Sequence, residues 1–115
     1  MIRPTCEIRD EKTAVITIGK CRYLFDTDAM LVRGVFDECQ RQGALFFVLN
    51  MEGVESPTAQ ALGILIAMLT SARDKKGNMV LCNVGEKVQN LLTITKLQNV
   101  FEVYDSVELA VTQLS

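Results

Sequence analysis

Apolar residues recur along the chain with the spacing of β-strands in five segments. Residues 13–19 alternate with a period of two, which is typical of a strand. Leu45–Leu49 is an unbroken apolar run, as expected for a strand covered on both faces near the middle of a parallel sheet. Shorter strand patterns occur at residues 7–9, 79–82 and 101–104.

The first helical pattern follows Asp26-Thr27-Asp28, where a short acceptor side chain can satisfy the free N–H groups of a first turn. Gly43 suits the left-handed position that ends a helix. The predicted core side of this helix consists of the apolar residues at helical spacing, which are Leu31, Val35, Phe36 and Cys39.

Three more helices are predicted. Ser56-Pro57 opens the second, with serine as N-cap and proline at the first helical position, and the pattern continues to about Asp74. The others lie at residues 88–95 and 105–114. The order β-β-α-β-α-β-α-β-α predicts an α/β fold of one domain, residues 1–115, with a four- or five-stranded mixed sheet and about four helices.

Charge and hydropathy exclude several classes of function. The net charge is −2 and the pI about 5.1, so the basic surface of a nucleic-acid-binding or membrane-surface protein is absent. The longest apolar run, Ala61–Leu69, is far shorter than the roughly 20 residues of a membrane span. The first residues lack the apolar region of a signal peptide. We expect a cytoplasmic protein without membrane insertion.

The residue types that carry most catalysis are missing or scattered. The chain has no histidine, which removes the commonest general base and metal ligand. Its four cysteines form no CxxC pair, and its isolated glycines form no phosphate loop. We expect no catalytic residues, no metal and no cofactor.

The outward face of the second helix is unusual. On a helical wheel its core stripe is Leu62, Leu65, Ile66 and Leu69. Its outward face carries Gln60, Ile64, Ala67 and Ser71, with Met68 beside them. An exposed helix face normally carries charge, so apolar residues here indicate a contact surface. The alternative is that another part of the domain covers Ile64 and Met68.

Several segments resemble the STAS family of anti-sigma-factor antagonists. They are residues 49–54, residues 62–65, Leu97 and residues 100–110, in the same order and spacing as in that family. The stretch Gly19–Leu24 departs from the family's glycine-leucine-aspartate pattern. The resemblance implies a STAS-like fold and a domain that binds other proteins instead of catalysing a reaction.

In the antagonists, a D-S-S-G-L-G-like motif opens the second helix, and its first serine is phosphorylated by an anti-sigma kinase. Aligned on Leu62-Gly63, this motif falls on residues 58–63, and the acceptor position is Ala59, which has no hydroxyl. Thr58 is the alternative phospho-acceptor, and Ser56 is close by. We therefore predict that the partner is bound constitutively. The predicted partner-binding residues are Ser56, Thr58, Ala59, Gln60, Ile64, Ala67, Met68 and Ser71.

The resemblance leaves three functions open. The leading hypothesis is a module that binds an anti-sigma factor or a related serine-kinase-like regulator of transcription. The others are an accessory subunit of a membrane transporter and a sensor of a small ligand, for which a large internal pocket would be expected. The sequence leaves both a monomer and a weak homodimer possible.

Overall fold

The computed structural model describes residues 2–114. Its strands are β1 (Thr5–Ile8), β2 (Thr13–Thr17), β3 (Cys21–Leu24), β4 (Phe46–Asn50), β5 (Val54–Pro57), β6 (Asn78–Cys82) and β7 (Val103–Tyr104). Its helices are α1 (Asp26–Arg41), α2 (Ala59–Asp74), α3 (Glu86–Ile94) and α4 (Val107–Leu114). A short 3-10 helix, Leu97–Asn99, lies between α3 and β7.

The main sheet has five strands in the order β1-β2-β4-β6-β7. β1 runs antiparallel to β2, and the other neighbours are parallel. The predicted mixed sheet with about four helices is confirmed. β4 is the central strand, and its residues Phe47, Val48 and Leu49 are fully buried, as the unbroken apolar run predicted.

Successive residues of the buried strands point to opposite faces of the sheet and so build two apolar clusters. One cluster includes Ile16, Phe47 and Leu81 and packs against α1, α2 and α3. The smaller cluster, on the other face, lies under α4 and includes Val48 and Ala110. The apolar pattern had predicted the helices without assigning them to faces of the sheet.

Two short strands are absent from the predicted order. β3 and β5 pair in parallel as a separate sheet, which we call the β3–β5 ribbon (Cys21–Leu24 with Val54–Pro57). The predicted first strand at residues 7–9 also begins earlier, at Thr5. The ribbon strands have no alternating pattern, and each gains its backbone partner only from a segment about thirty residues away in the sequence.

Helix α1 begins at Asp26 as predicted, and the carboxylate of Asp28 accepts a hydrogen bond from the N–H of Phe25 at 3.0 Å. Gly43 has a φ of +101°, as predicted for the residue after the helix. The predicted core side is wrong in part, because Leu31 is 41% exposed. The buried residues of α1 are Ala29, Val32, Phe36 and Cys39. Since neighbouring residues differ by about 100° around a helix, burying Val32 turns Leu31 towards the edge of the sheet.

Helix α2 begins two residues later than predicted. Thr58, and not Ser56, is the N-cap: its hydroxyl accepts a hydrogen bond from the N–H of Ala61 at 3.1 Å. Ser56 and Pro57 belong to β5. A proline disfavours helical backbone at the residue before it, so Pro57 keeps Ser56 extended and lets it pair in the ribbon. The helix ends at Asp74, as predicted.

Candidate functional site

The β3–β5 ribbon places the amino ends of two helices side by side. Leu24 lies opposite Pro57 in the parallel register, and the N–H of Thr58 donates to the carbonyl of Leu24 at 2.9 Å. α1 starts directly after the first strand of the ribbon and α2 directly after the second, so the two helices leave it as neighbours. They then pack along each other, and the Gln40 side chain donates to the Ser71 hydroxyl at 3.2 Å.

The amino end of α2 carries the accessible part of the predicted surface. Ala59 and Gln60 are exposed in the first turn, followed by exposed Gly63. Thr58 and Ser56 are half-buried beside them. The first turn of α2 contains no acidic residue, so its free N–H groups leave a positive partial charge at this end.

The rest of the predicted face is less open. Ile64 and Ala67 are half-buried, and Ile64 packs against the main core. Ser71 is half-buried and bonded to Gln40 of α1. The prediction for Met68 is wrong, because its side chain is fully buried (0% exposed). α2 buries a side that faces both the sheet and α1, and this wider contact includes Met68 together with the small residues Ala61 and Ala72.

Two aromatic side chains that sequence reasoning missed stand beside this helix end. Tyr23 and Phe25 are 50% and 51% exposed, and their ring centroids are 5.8 Å apart. Tyr23 pairs with Ser56 across the ribbon, and the guanidinium of Arg22 lies 5.7 Å from the Tyr23 ring centre. Gly19–Leu24 departs from the family pattern, and this departure was the only signal in the sequence that could have pointed to the aromatic pair.

An open groove of about 410 Å³ runs past the aromatic pair, and it is lined by Ile2, Lys20, Cys21, Tyr23, Phe25 and Thr27, with Asp28 at its end. Burial, followed by the nearby Asp28 and Glu55 carboxylates, raises the pKa of the Cys21 thiol. A neutral thiol is a poor nucleophile. The groove therefore offers a contact surface of aromatic and polar side chains instead of a reactive group.

The chemistry of the site is that of a contact surface. Across residues 2–114, no three His, Cys, Asp or Glu side chains are grouped closely enough to hold a metal ion. Within the same part of the chain, no helix has both the length and the apolar character that a bilayer crossing requires. We name the contact surface formed by Tyr23, Phe25, Thr58, Ala59 and Gln60 the helix-end surface.

A five-stranded mixed sheet, with a parallel ribbon that feeds two adjacent helices, is the architecture of an α/β domain of the STAS type. The model of the STAS domain family matches residues 22–110. The chain belongs to the STAS family.

Relatives and solved structures agree with this assignment. A candidate anti-sigma factor antagonist of Thermotoga neapolitana is 30% identical over 80 residues, which are 70% of this chain and 71% of the relative. An anti-sigma F factor antagonist of Paenibacillus polymyxa is 28% identical over 85 residues, 73% of each chain. The crystal structure of a candidate antagonist from Thermotoga maritima has a TM-score of 0.81 at 27% identity, over 96% of this chain and 93% of that one.

The same fold also occurs outside the antagonists. A sulfate transporter family protein from Wolinella succinogenes has a TM-score of 0.78 at 17% identity, over 94% of this chain and 88% of that one. At this identity the likeness shows the fold alone.

Proposed function

We propose that this chain regulates transcription by binding an anti-sigma factor or a related serine-kinase-like regulator through its helix-end surface. The observation that carries the proposal is the position of the exposed pair Tyr23 and Phe25 beside the first turn of α2. Aromatic side chains are enriched at protein interfaces, where Tyr and Trp act as anchors, and Ala59 is exposed in the adjacent first turn of α2. The relatives named as antagonists supply the class of partner.

The same surface supports binding that is not switched by phosphorylation. Ala59 occupies the family's acceptor position and has no hydroxyl. The Thr58 hydroxyl caps α2 through its hydrogen bond to Ala61, and the residue is half-buried. Phosphorylation of Thr58 would alter the group that caps α2, so we propose that the unmodified state persists and that control lies in expression or in the partner.

Affinity capture with the purified protein tests the binding surface. We expect Tyr23→Ala with Phe25→Ala to lose the captured partner while the melting temperature stays within about 2 °C, because neither ring is buried in the core. Ile94→Ala is the matched control, since Ile94 is an exposed apolar residue (77%) at the end of α3. Capture that survives loss of both rings contradicts the proposed surface. Capture of a transporter would favour the accessory-subunit hypothesis.

Incubation of the protein with its cognate kinase and ATP, followed by measurement of the intact mass, tests whether the phosphorylation switch is missing. We expect no added phosphate on the unmodified chain and one phosphate on Ala59→Ser, which should also weaken binding because the added charge of about −1.5 to −2 disturbs the interface. A phosphate on the unmodified chain that disappears in Thr58→Val would show that Thr58 is the acceptor and would contradict constitutive binding.

A further inference from the structure

Strand β1 forms one edge of the main sheet, and its free side carries unpaired backbone groups. The N–H of Arg9 donates to the carbonyl of Thr13 at 2.9 Å, just beyond the strand end. Hydrogen-bonded pairs alternate along an antiparallel ladder, so the backbone of Glu7 also faces β2. Cys6 and Ile8 then direct their N–H and C=O groups away from β2, where the described part of the chain supplies no further strand.

An apolar groove of about 490 Å³ lies between β1 and α1 on one face of this edge. Ile8 (46% exposed) and Leu31 (41% exposed) stand on its two sides. Gly34 lines it from the middle of α1, and apart from its chain neighbours and the nearby backbone of its own helix no described atom lies within 4 Å of the place where its β-carbon would be. Glycine is a poor residue for a helix interior, and no contact inside the chain requires it here. The close approach of a second molecule to this part of α1 would require a glycine.

The other face of the same edge carries a compact group of charges. Arg9 is bonded to both Glu7 and Glu108 at the start of α4. The edge therefore presents an acidic, an apolar and a basic residue in succession at positions 7, 8 and 9, with Ile8 facing α1 and its two charged neighbours facing α4.

We propose that two copies of this chain pair through β1, antiparallel about a twofold axis that passes beside Ile8. Ile8 then lies opposite Ile8 of the second copy, and their outward backbone groups exchange two hydrogen bonds. On the α1 face, the two Ile8 side chains meet between the two Leu31 side chains, and each Gly34 leaves room for the second copy. The five-stranded sheet continues into that of the second copy.

The charges favour this register and this occupant. With the axis at Ile8, Glu7 lies opposite Arg9 of the second copy, and the pairing occurs twice by symmetry. With the axis at Glu7, two like charges would face each other as a close pair, which destabilises a sheet. An acid-apolar-base triplet is complementary to itself only in antiparallel pairing about its centre, so it fits a second copy better than an arbitrary peptide.

This surface is separate from the helix-end surface and does not depend on the proposed function. The opposite edge of the main sheet, β7, has only two residues and offers no comparable ladder. Because β1 has four residues, we infer an association that depends on protein concentration instead of a permanent dimer.

Sedimentation equilibrium over a wide range of concentration tests the proposal. We expect the average mass to rise from 12.8 kDa towards twice that value. Ile8→Lys places two cations against each other at the axis and should raise the dissociation constant at least about tenfold. Ile94→Lys is the matched control, because it adds the same charge to an exposed isoleucine on α3, and it should leave the mass unchanged.

A charge exchange tests the register. Glu7→Arg alone should weaken the dimer, because it brings two guanidinium groups together at each end of the pairing. Glu7→Arg, Arg9→Glu and Glu108→Arg together invert the whole cluster and should restore association, since the contact with α4 is inverted with it.

Amide hydrogen exchange supplies a local readout. The N–H of Ile8 should exchange more slowly as concentration rises, whereas the N–H of Glu7, already bonded to β2, should be protected at every concentration. A mass of one chain at the highest attainable concentration would overturn the proposal, and so would a dimer that persists in Ile8→Lys.

Discussion

Gly77 lies against the backbone of Leu45: a β-carbon on Gly77 would stand 1.8 Å from the Leu45 carbonyl oxygen. That carbonyl also accepts the N–H of Asn78 at 3.1 Å and so holds the start of β6 beside β4. Gly77→Ala has to push these two central strands apart. We expect it to lower the free energy of unfolding by about 3 kcal/mol or more, measured by urea-induced unfolding.

Gly63→Ala is the control for this experiment. Gly63 lies inside α2, and apart from its chain neighbours and the nearby backbone of its own helix no described atom is within 4 Å of its β-carbon position. We expect a gain of about 0.5–1 kcal/mol, because alanine is the better helix residue. If Gly63→Ala lowers the free energy of unfolding as much as Gly77→Ala does, the close approach of Gly77 to Leu45 is not the cause of the loss.

Met68→Ala tests the burial of a residue that the sequence pattern placed outside. Its side chain is fully buried, so truncation removes apolar contacts and leaves a cavity. The expected loss is about 2–5 kcal/mol of unfolding free energy. Gln60→Ala, on the exposed first turn of the same helix, should change it by less than about 0.5 kcal/mol. Equal losses of unfolding free energy in Met68→Ala and Gln60→Ala would show that the buried side of α2 is not the one described.

Thr58 should behave as a helix cap. Thr58→Ala removes the acceptor of the Ala61 N–H and should cost about 1 kcal/mol, whereas Thr58→Ser keeps the hydroxyl and should cost much less. Thermal unfolding of the two variants compares them directly. If the serine variant loses as much as the alanine variant, the hydroxyl has no capping role.

Cys6 should be an unreactive thiol although its residue is exposed. Burial raises the pKa of Cys6 to about 12, and the neighbouring Cys39 thiol adds to the shift. We expect iodoacetamide at about pH 8 to alkylate Cys6 at least about tenfold more slowly than a cysteine in an unfolded peptide. Cys39→Ala removes one cause of the shift and should accelerate the reaction, as peptide mass mapping would show. A Cys6 that reacts at the rate of the peptide would contradict the raised pKa.

The same shift has a consequence for stability at high pH. The pKa of Cys6 in the folded chain lies above the ordinary value of 9.0, so the folded state holds its proton more tightly than the unfolded state does. This contribution to stability is complete below about pH 9 and declines as the pH rises towards 12. The urea midpoint should therefore fall above about pH 9, and it should fall less in Cys6→Ser.

Local chemistry was sufficient to predict most elements of the fold. The unbroken apolar run before Asn50 identified the central strand, because only a strand covered on both faces can be apolar throughout. Asp28 and Gly43 marked the two ends of α1, because the hydrogen bond from the Phe25 N–H to the Asp28 carboxylate and the positive φ of Gly43 are both decided within a few residues. The family could be recognised from the spacing of short segments between residues 49 and 110.

The missed features depend on partners that are distant in the sequence. Ser56-Pro57 has the local chemistry of a helix start, yet its pairing with Tyr23 and Leu24 makes it a strand. That pairing brings the exposed aromatic residues to the amino end of α2, where the sequence alone predicted partner-binding residues of the helix but no aromatic neighbours.

The sequence by itself determined the α/β class, the order of the main strands along the chain and the absence of a hydroxyl at position 59, since each of these follows from residue type and short-range period. The tertiary structure decided which sides of the helices are buried. Met68 is covered because α2 packs on the sheet and on α1 at once, and Leu31 is exposed because α1 lies at the sheet edge. A helical wheel describes one helix, whereas burial depends on every element that packs against it.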